Sequence, residues 1–377
     1  MSLCATGGPT SGGHWTTRFA ERCPPLRPLA IAHLTALDHE ELLVRRGPRS
    51  GLYTLVAVHS TVRGPSLGGC RMWRYADARA AVRDALRLSR AMTFKSAVAD
   101  LPLGGGKGVI ALREGEELTP RRRRDALRDF AETVDAVGGR YVTAEDVGTS
   151  SRDMTVIAEH TAHVSGLSRR RGGSGDPSPW TALGVEAALR VSLERVFGSP
   201  DPRGRMVAIV GLGNVGGRLA VRLARAGARL RVSDVVPDRR ALADELGAEW
   251  LAPGDAMAAE ADVLAPCALG GVLDEATVPR LRAPVVLGAA NNQLADDAVA
   301  DLLRERDVLW GPDFVANAGG VANLAGEREG YDPRVARRRV LSIGDTMRTI
   351  YDEADTAGVT PLAAALALAQ RRLAAPR

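Results

Sequence analysis

The stretch that most constrains this chain runs from Met206 to Asp234. Met206 to Val210 is an apolar, β-branched run of strand length that leads straight into Gly211-Leu212-Gly213-Asn214-Val215-Gly216. A helix-compatible segment follows and ends at Gly227, and a second apolar run, Leu230 to Ser233, stops at Asp234. The glycine pattern alone is a weak signal, because many tight turns share it. Strand, glycine turn, helix, strand and terminal acid in this order specify a βαβ unit that binds a dinucleotide. Its glycines permit a tight turn and close helix packing, and the N–H groups that open the helix hold the pyrophosphate. Asp234 is placed to accept a hydrogen bond from the adenosine ribose 2′-OH, and its charge repels a 2′-phosphate, so NAD is favoured over NADP. Arg239 and Arg240 follow closely and leave NADP open.

Further strand-like runs, Val263 to Ala265, Val285 to Leu287 and Val308 to Trp310, alternate with helix-compatible segments and complete a parallel sheet. Beyond Asn317-Ala-Gly-Gly-Val the chain reads as helical from about Asp332 to Leu373. With 377 residues the chain is long enough for two domains. The expected fold class is α/β: a doubly wound Rossmann domain over residues 177–329, and an α/β domain over 31–176 that the C-terminal segment 330–377 rejoins. The connection is read at Arg169 to Pro179, the least core-like internal stretch.

The first domain is organised around Met92 to Ile110. Of 50 Lys and Arg residues in the chain, only Lys95 and Lys107 are lysine. Arginine serves wherever a plain positive charge suffices, whereas an ammonium can shed its proton when buried beside another cation. Two lysines in one cleft therefore point to a general base. Val82, Leu86, Ser89 and Met92 recur at helical spacing, which predicts a helix from Asp77 to about Phe94 with Lys95 at its end. The run Gly104-Gly105-Gly106 reads as a flexible loop with room for a ligand, and Lys107 as the first residue of the following strand. Tyr141 to Ala144 is another short strand, delivering Glu145 and Asp146 at the C-terminal end, where open α/β sheets bind ligands.

Several functions are excluded. The formal net charge of +5 is spread through arginines interleaved with acids, and no recognition module accompanies it, which argues against nucleic acid. Arg121 to Arg124 follow the helix-opening pair Thr119-Pro120 and are expected to form a solvated helical face. Cys4, Cys23, Cys70 and Cys267 have neither C-x-x-C nor zinc spacing, so reduced cytoplasmic thiols and no metal site are expected. Residues 1–30 lack a signal-peptide core and are expected to be a flexible extension, and no segment has the length and apolarity to span a membrane.

MTFKSA with LPLGGGKGVI, TAEDVGT, GGSGDPSPWTALGV, VGLGNVGG, PCALGG, GAANNQLA and PDFVANAGGVAN occur here in one order, from about Gly64 to the C-terminus. This set resembles the amino-acid dehydrogenases that group the glutamate, leucine, valine and phenylalanine enzymes, and within them the leucine and valine enzymes most. The resemblance implies NAD-dependent oxidative deamination of an L-amino acid to a 2-oxo acid and ammonia, reversibly, by a homo-oligomer such as a dimer or octamer. It assigns Lys95 to the substrate carboxylate, Lys107 to the base that activates water, and Asp146 to proton transfer at the amino group. It places Gly211, Gly213, Asn214, Val215 and Gly216 at the phosphates. Thr181, Cys267, Ala268 and Asn292 fall near the nicotinamide half.

By the same resemblance, glutamate enzymes carry a lysine where this chain has Leu67, and a serine where it has Leu324. A side-chain carboxylate buried against leucines would lack a partner, so glutamate is disfavoured. Leu67, Gly68, Ala144, Val321 and Leu324 make an apolar pocket of the kind found in leucine and valine dehydrogenases. Pocket width depends on backbone placement, so phenylalanine or tryptophan stays open as substrate. An inactive, ligand-sensing homologue is the alternative from another class, but Lys95, Lys107 and Asp146 are all of the expected residue types.

Overall fold

A computed structural model describes residues 38–327 and 330–375, so the expected extension over residues 1–30 lies outside the described residues. The first sheet is built from β1 (Glu41–Arg46), β2 (Tyr53–Ser60), β3 (Ser66–Tyr75), β4 (Gly104–Arg113) and β5 (Tyr141–Glu145), in the order β1-β2-β4-β3-β5. β4 pairs antiparallel with β2 and parallel with β3, and β3 is parallel to β5. Both faces are covered. On one, Leu55, Ala57 and Val109 meet Ala81 and Ala85 of α1 (Ala78–Val98). On the other, Val56, Val58, Cys70, Met72, Ile110 and Leu112 meet Leu127, Phe130 and Ile157 of α2 (Pro120–Asp135) and α3 (Ser151–Ala158). Strands buried on both sides are near-continuous apolar runs, and Leu52 to Val58, which forms most of β2, is one.

Two expectations are corrected here. α1 is capped by Asp77, which accepts from Ala80 N, and runs through Val98, a turn beyond the expected end near Phe94. Its buried stripe is made of small residues, Ala81, Ala85, Ser89, Thr93, Ser96 and Ala97, at helical spacing. The glycine triplet is not a loop: Gly104, Gly105 and Gly106 are the first three residues of β4. A Cβ on Gly105 would stand 2.0 Å from Thr93 N, and one on Gly106 would stand 2.6 Å from the Tyr141 ring. The triplet lets α1 and its neighbours pack onto the strand, and gives no room to a ligand.

Thr119 caps α2, as its sequence signature requires, accepting from Arg122 N at 3.3 Å. The arginines after it form a less solvated face than expected. Arg122 pairs with Glu116, and Arg123 with Asp153 at 2.8 Å. Arg169–Arg171 form a 3-10 turn just before the segment that leads into α4 (Ser178–Phe197).

The second sheet comprises β6 (Met206–Val210), β7 (Arg229–Ser233), β8 (Glu249–Trp250), β9 (Val263–Pro266), β10 (Val285–Val286) and β11 (Leu309–Trp310). Its order is β11-β10-β9-β6-β7-β8, and every pairing is parallel. Strand order reverses beside β6, the switch point at which such sheets bind ligands. From β6 the chain turns through Gly211 into α5 (Gly216–Arg225). The C-terminal segment forms two helices, α6 (Pro333–Ala357) and α7 (Pro361–Ala374), separated at Gly358. Val340, Ile343 and Met347 of α6 share a buried core with Leu189 of α4 and with Ala97 and Val98 of α1. Among the described residues no helix is long and apolar enough to cross a membrane.

Candidate active site

Side chains alternate along a strand, so register decides which ones share a face. Ala57 lies opposite Lys107, and Arg71 opposite Val109. Lys107 and Arg71 therefore emerge on the α1 face, beside Asp146, which follows the end of β5. Lys107 Nζ donates to Asp146 Oδ2 at 2.6 Å, and Arg71 Nε donates to the same oxygen at 3.0 Å. Lys107 is only 5 % exposed. Burial depresses its pKa below the ordinary lysine value, and Asp146 opposes that without cancelling it. For Asp146 burial pushes the other way, but Lys107 and Arg71 outweigh it and hold the carboxyl below its usual range. Asp146 is thus ionised, next to a lysine whose proton is weakly held.

Lys95 sits in the last turn of α1, half-buried. Burial lowers its pKa to about 8; Asp313 works against this, and the charge of Lys107 adds to it. Lys95 Nζ donates to Asn291 Oδ1 at 3.1 Å, and the same oxygen accepts from Asn317 Nδ2 at 2.9 Å. Asn317 Nδ2 also donates to Ala289 O at 3.2 Å. Behind them Gln293, fully buried, donates its N–H to Asp313 Oδ2 at 2.6 Å. Asn291, which the sequence motifs do not single out, is the partner of Lys95; its neighbour Asn292 is the residue expected near the nicotinamide half. Asn292 is exposed and holds a left-handed backbone, with φ of 52°.

The residues expected to line the apolar pocket are buried or packed against the core. Leu67, Ala144 and Leu324 are 3 %, 4 % and 8 % exposed, belong to one continuous core, and Val321 packs against it. Gly68 has its own packing reason, because a Cβ there would stand 1.7 Å from Gly106 O. Leu67 and Gly68 pair with Val142 and Thr143 across β5, one step from Ala144. The short helix Gly319–Leu324 carries Val321 and Leu324. Its glycines lie against α4, where a Cβ on Gly320 would be 2.8 Å from Thr181 Oγ1. Thr181 itself donates to Pro177 O at 3.2 Å.

At the dinucleotide end, Gly211 has φ of 103°, a left-handed conformation that favours glycine, and its missing Cβ leaves room for Ala268 at 2.7 Å. Gly216 lies against Gly211 O and the Cys267 side chain. Gly213 differs from both, since an added Cβ would meet nothing within 4 Å. Gly213 and Asn214 are exposed, just before the α5 N-terminus, whose N-cap position Val215 fills without a side-chain hydrogen bond. Asp234 accepts from Leu212 N at 2.7 Å and from Val236 N at 2.8 Å, so its carboxylate is fixed at the end of β7. Each of its oxygens keeps a lone pair for a further donor. Backbone N–H groups at a helix start, an open glycine and an anchored acid fit a dinucleotide carrying a free ribose 2′-OH. Burial pushes the Cys267 thiol up to about 11, so it stays protonated near neutral pH.

Residues 44–163 match the model of the Glu/Leu/Phe/Val dehydrogenase dimerisation domain, and residues 232–375 match that of the Glutamate/Leucine/Phenylalanine/Valine dehydrogenases. The chain is 40 % identical to a leucine dehydrogenase of Bacillus cereus, covering 91 % of this chain and 93 % of that protein. It is 41 % identical to a valine dehydrogenase of Streptomyces virginiae, over 92 % of this chain and 97 % of the relative. Among solved structures, the L-tryptophan dehydrogenase of Nostoc punctiforme superposes with a TM-score of 0.78 at 35 % identity, covering 92 % of this chain and 98 % of that one.

Proposed function

Because the chain belongs to the Glu/Leu/Phe/Val dehydrogenase family, we propose that it deaminates branched-chain L-amino acids, valine, leucine and isoleucine, reversibly to the 2-oxo acid and ammonia. It is an NAD-dependent amino-acid dehydrogenase. The observation that carries the branched-chain reading is the burial of Leu67, Ala144 and Leu324 in one apolar core where a glutamate side chain would need a cation.

Gly211, Gly213, Asn214, Val215 and Gly216 would hold NAD at its phosphates and Asp234 at its ribose, and NAD would supply the acceptor for the hydride of the substrate α-carbon. The remaining steps belong to the chain's own side chains. Lys95 holds the substrate carboxylate, and the Asn291–Asn317 pair sets where its ammonium points. Lys107, neutral when productive, takes the proton of the water that adds to the iminium carbon. Asp146 exchanges protons with the substrate nitrogen, first as an amine and last as departing ammonia. The domain division is proposed as 31–176 with 330–377 for the substrate and oligomer half, and 177–329 for the dinucleotide half. We also propose a cytoplasmic homo-oligomer, dimer or octamer, which light scattering would size.

The test is NADH formation across the twenty amino acids. Valine, leucine or isoleucine should give the highest kcat/KM, and glutamate should be rejected. Preference for tryptophan or phenylalanine would overturn the branched-chain reading and leave the dehydrogenase in place. Leu324→Ala should move preference toward longer side chains, by about 1 to 3 kcal/mol per methylene accommodated.

A further inference from the structure

Arg71 took no part in the sequence reading, yet it touches the centre of the site. Its guanidinium bridges two carboxylates: Nε donates to Asp146 Oδ2 and Nη1 to Asp84 Oδ2, both at 3.0 Å. Asp84 lies on α1 and is itself held, by Tyr75 OH on Oδ2 at 2.8 Å and by Arg87 Nη2 on Oδ1 at 3.0 Å. A continuous polar chain therefore runs from Arg87 at the helix surface, through Asp84 and Arg71, to Asp146 and Lys107. Only a planar fork can serve two acceptors in fixed directions; an ammonium is a point charge on a flexible stem.

The bonds leave an asymmetry at Asp146. Oδ2 accepts from both Lys107 and Arg71, whereas Oδ1 has no hydrogen-bond partner among the described residues. We propose that Arg71, anchored by Asp84 and Tyr75, is the positioning residue that fixes Asp146 against Lys107 and keeps Asp146 Oδ1 for the substrate's amino group. This rests on the reading of Lys107 and Asp146 as the proton-handling pair. A merely structural ion pair would contribute to folding and leave the protonation of Lys107 untouched, and here the two roles separate.

The charged and titratable groups around Lys107 are Arg71 and the buried Cys70 on β3, Tyr75 further along β3, Asp84 and Lys95 on α1, Asp146 after β5, and His59 on β2, which bonds Thr93 Oγ1. The sign of each charge change is fixed. Arg71 is a cation beside Lys107, so removing it makes the ammonium easier to keep and raises the Lys107 pKa. Asp84 is an anion on the far side of Arg71, so neutralising it lowers the Lys107 pKa.

The experiment is the pH profile of kcat/KM for oxidative deamination, in the full-length enzyme with saturating NAD. Arg71→Met should lower kcat/KM by about 10²-fold, the scale of a misplaced proton-transfer group, and move the ascending limb, which Lys107 deprotonation sets, to higher pH. Asp84→Asn should move the same limb to lower pH. Arg71→Lys should keep the limb near its wild-type position, since the charge stays, while turnover falls because the bridge is lost. If Arg71→Met fails to fold, as a thermal melt would reveal, the opposite behaviour of Arg71→Lys and Asp84→Asn carries the test. Lys107→Arg and Asp146→Asn serve as controls. Should both retain turnover, the underlying reading falls. Should both lose it while the Arg71 and Asp84 variants keep the wild-type limb, or shift it in one common direction, this inference alone falls.

Discussion

A Cβ added at Gly105 would stand 2.0 Å from the backbone nitrogen of Thr93, whereas one added at Gly213 would meet nothing within 4 Å. Both residues sit in glycine-rich segments that border the candidate site, and as text the two segments look alike. The first lies inside β4, where α1 approaches so closely that no side chain fits between helix and strand. The second lies in a turn open to solvent, where an added side chain would meet no protein atom. The same residue thus serves packing in the half that holds the lysines and leaves open space in the half proposed to hold the dinucleotide. What distinguishes them in the fold is the neighbour: Gly105 faces a helix whose buried stripe is mostly Ala, Ser and Thr, so both sides of that contact are small.

The comparison can be broken most directly at Gly105. Gly105→Ala forces backbone apart in a packed layer and should cost more than about 4 kcal/mol, the range reserved for severe core lesions. Loss of soluble protein, or a large drop in the midpoint of denaturant unfolding, is the expected result. A variant of wild-type stability would mean that α1 can lift from the strand, and the packing role of the triplet would be wrong.

Lys107 tests the chemistry that this packing supports. Lys107→Arg keeps the charge and removes the ability to deprotonate, so turnover should fall by at least about 10²-fold while NAD binding and folding persist. The pH dependence of the unmodified enzyme follows from the direction of its pKa. Since burial depresses Lys107 below 10.5, the neutral base accumulates before that pH, and kcat/KM should rise and level off below it. A rise that continues past 10.5 would remove the depressed lysine from the mechanism.

Much of this site could be read in the sequence, for identifiable reasons. The dinucleotide half is local: strand, turn, helix and acid lie within one short segment, and Gly211, Gly216 and Asp234 occupy the places that their order implies. Lys95 and Lys107 stood out because arginine replaces lysine everywhere else in the chain. What escaped depends on contacts between segments distant in sequence. Arg71 is one arginine among many, and only the pairing of β3 with β4 and β5 turns it toward Asp146. Asn291 meets Lys95 across almost two hundred residues of chain, at 3.1 Å. The triplet was read as a loop because glycine's usual meaning is conformational freedom, and its other meaning, the absence of volume, needs the opposing helix to be known.

Gly213→Ala is the counterpart of the Gly105 change and should be its opposite. The added methyl touches no protein atom, so stability should stay within about 0.5 kcal/mol of wild type. If the phosphates approach here as proposed, it intrudes on them, and the Michaelis constant for NAD should rise by about tenfold, or 1.4 kcal/mol. Unchanged NAD affinity would show that the opening at Gly213 faces away from the bound cofactor.

Asp234→Ala refines the cofactor half by separating two things its carboxylate does. It accepts from Leu212 N and Val236 N, which shapes the turn around Gly211, and it is placed to accept from a ribose hydroxyl. Loss of the second role should raise the Michaelis constant for NAD a few-fold and relax discrimination against NADP, because the charge that repels a 2′-phosphate is gone. Loss of the first would also loosen the turn. Asp234→Asn divides them: it keeps an acceptor for the backbone N–H groups and removes the charge. If Asn preserves NAD affinity and admits NADP while Ala loses both stability and affinity, charge sets cofactor choice and the backbone bonds set the turn. If the wild-type enzyme already prefers NADP, Asp234 is not the discriminating residue, and Arg239 and Arg240 take its place.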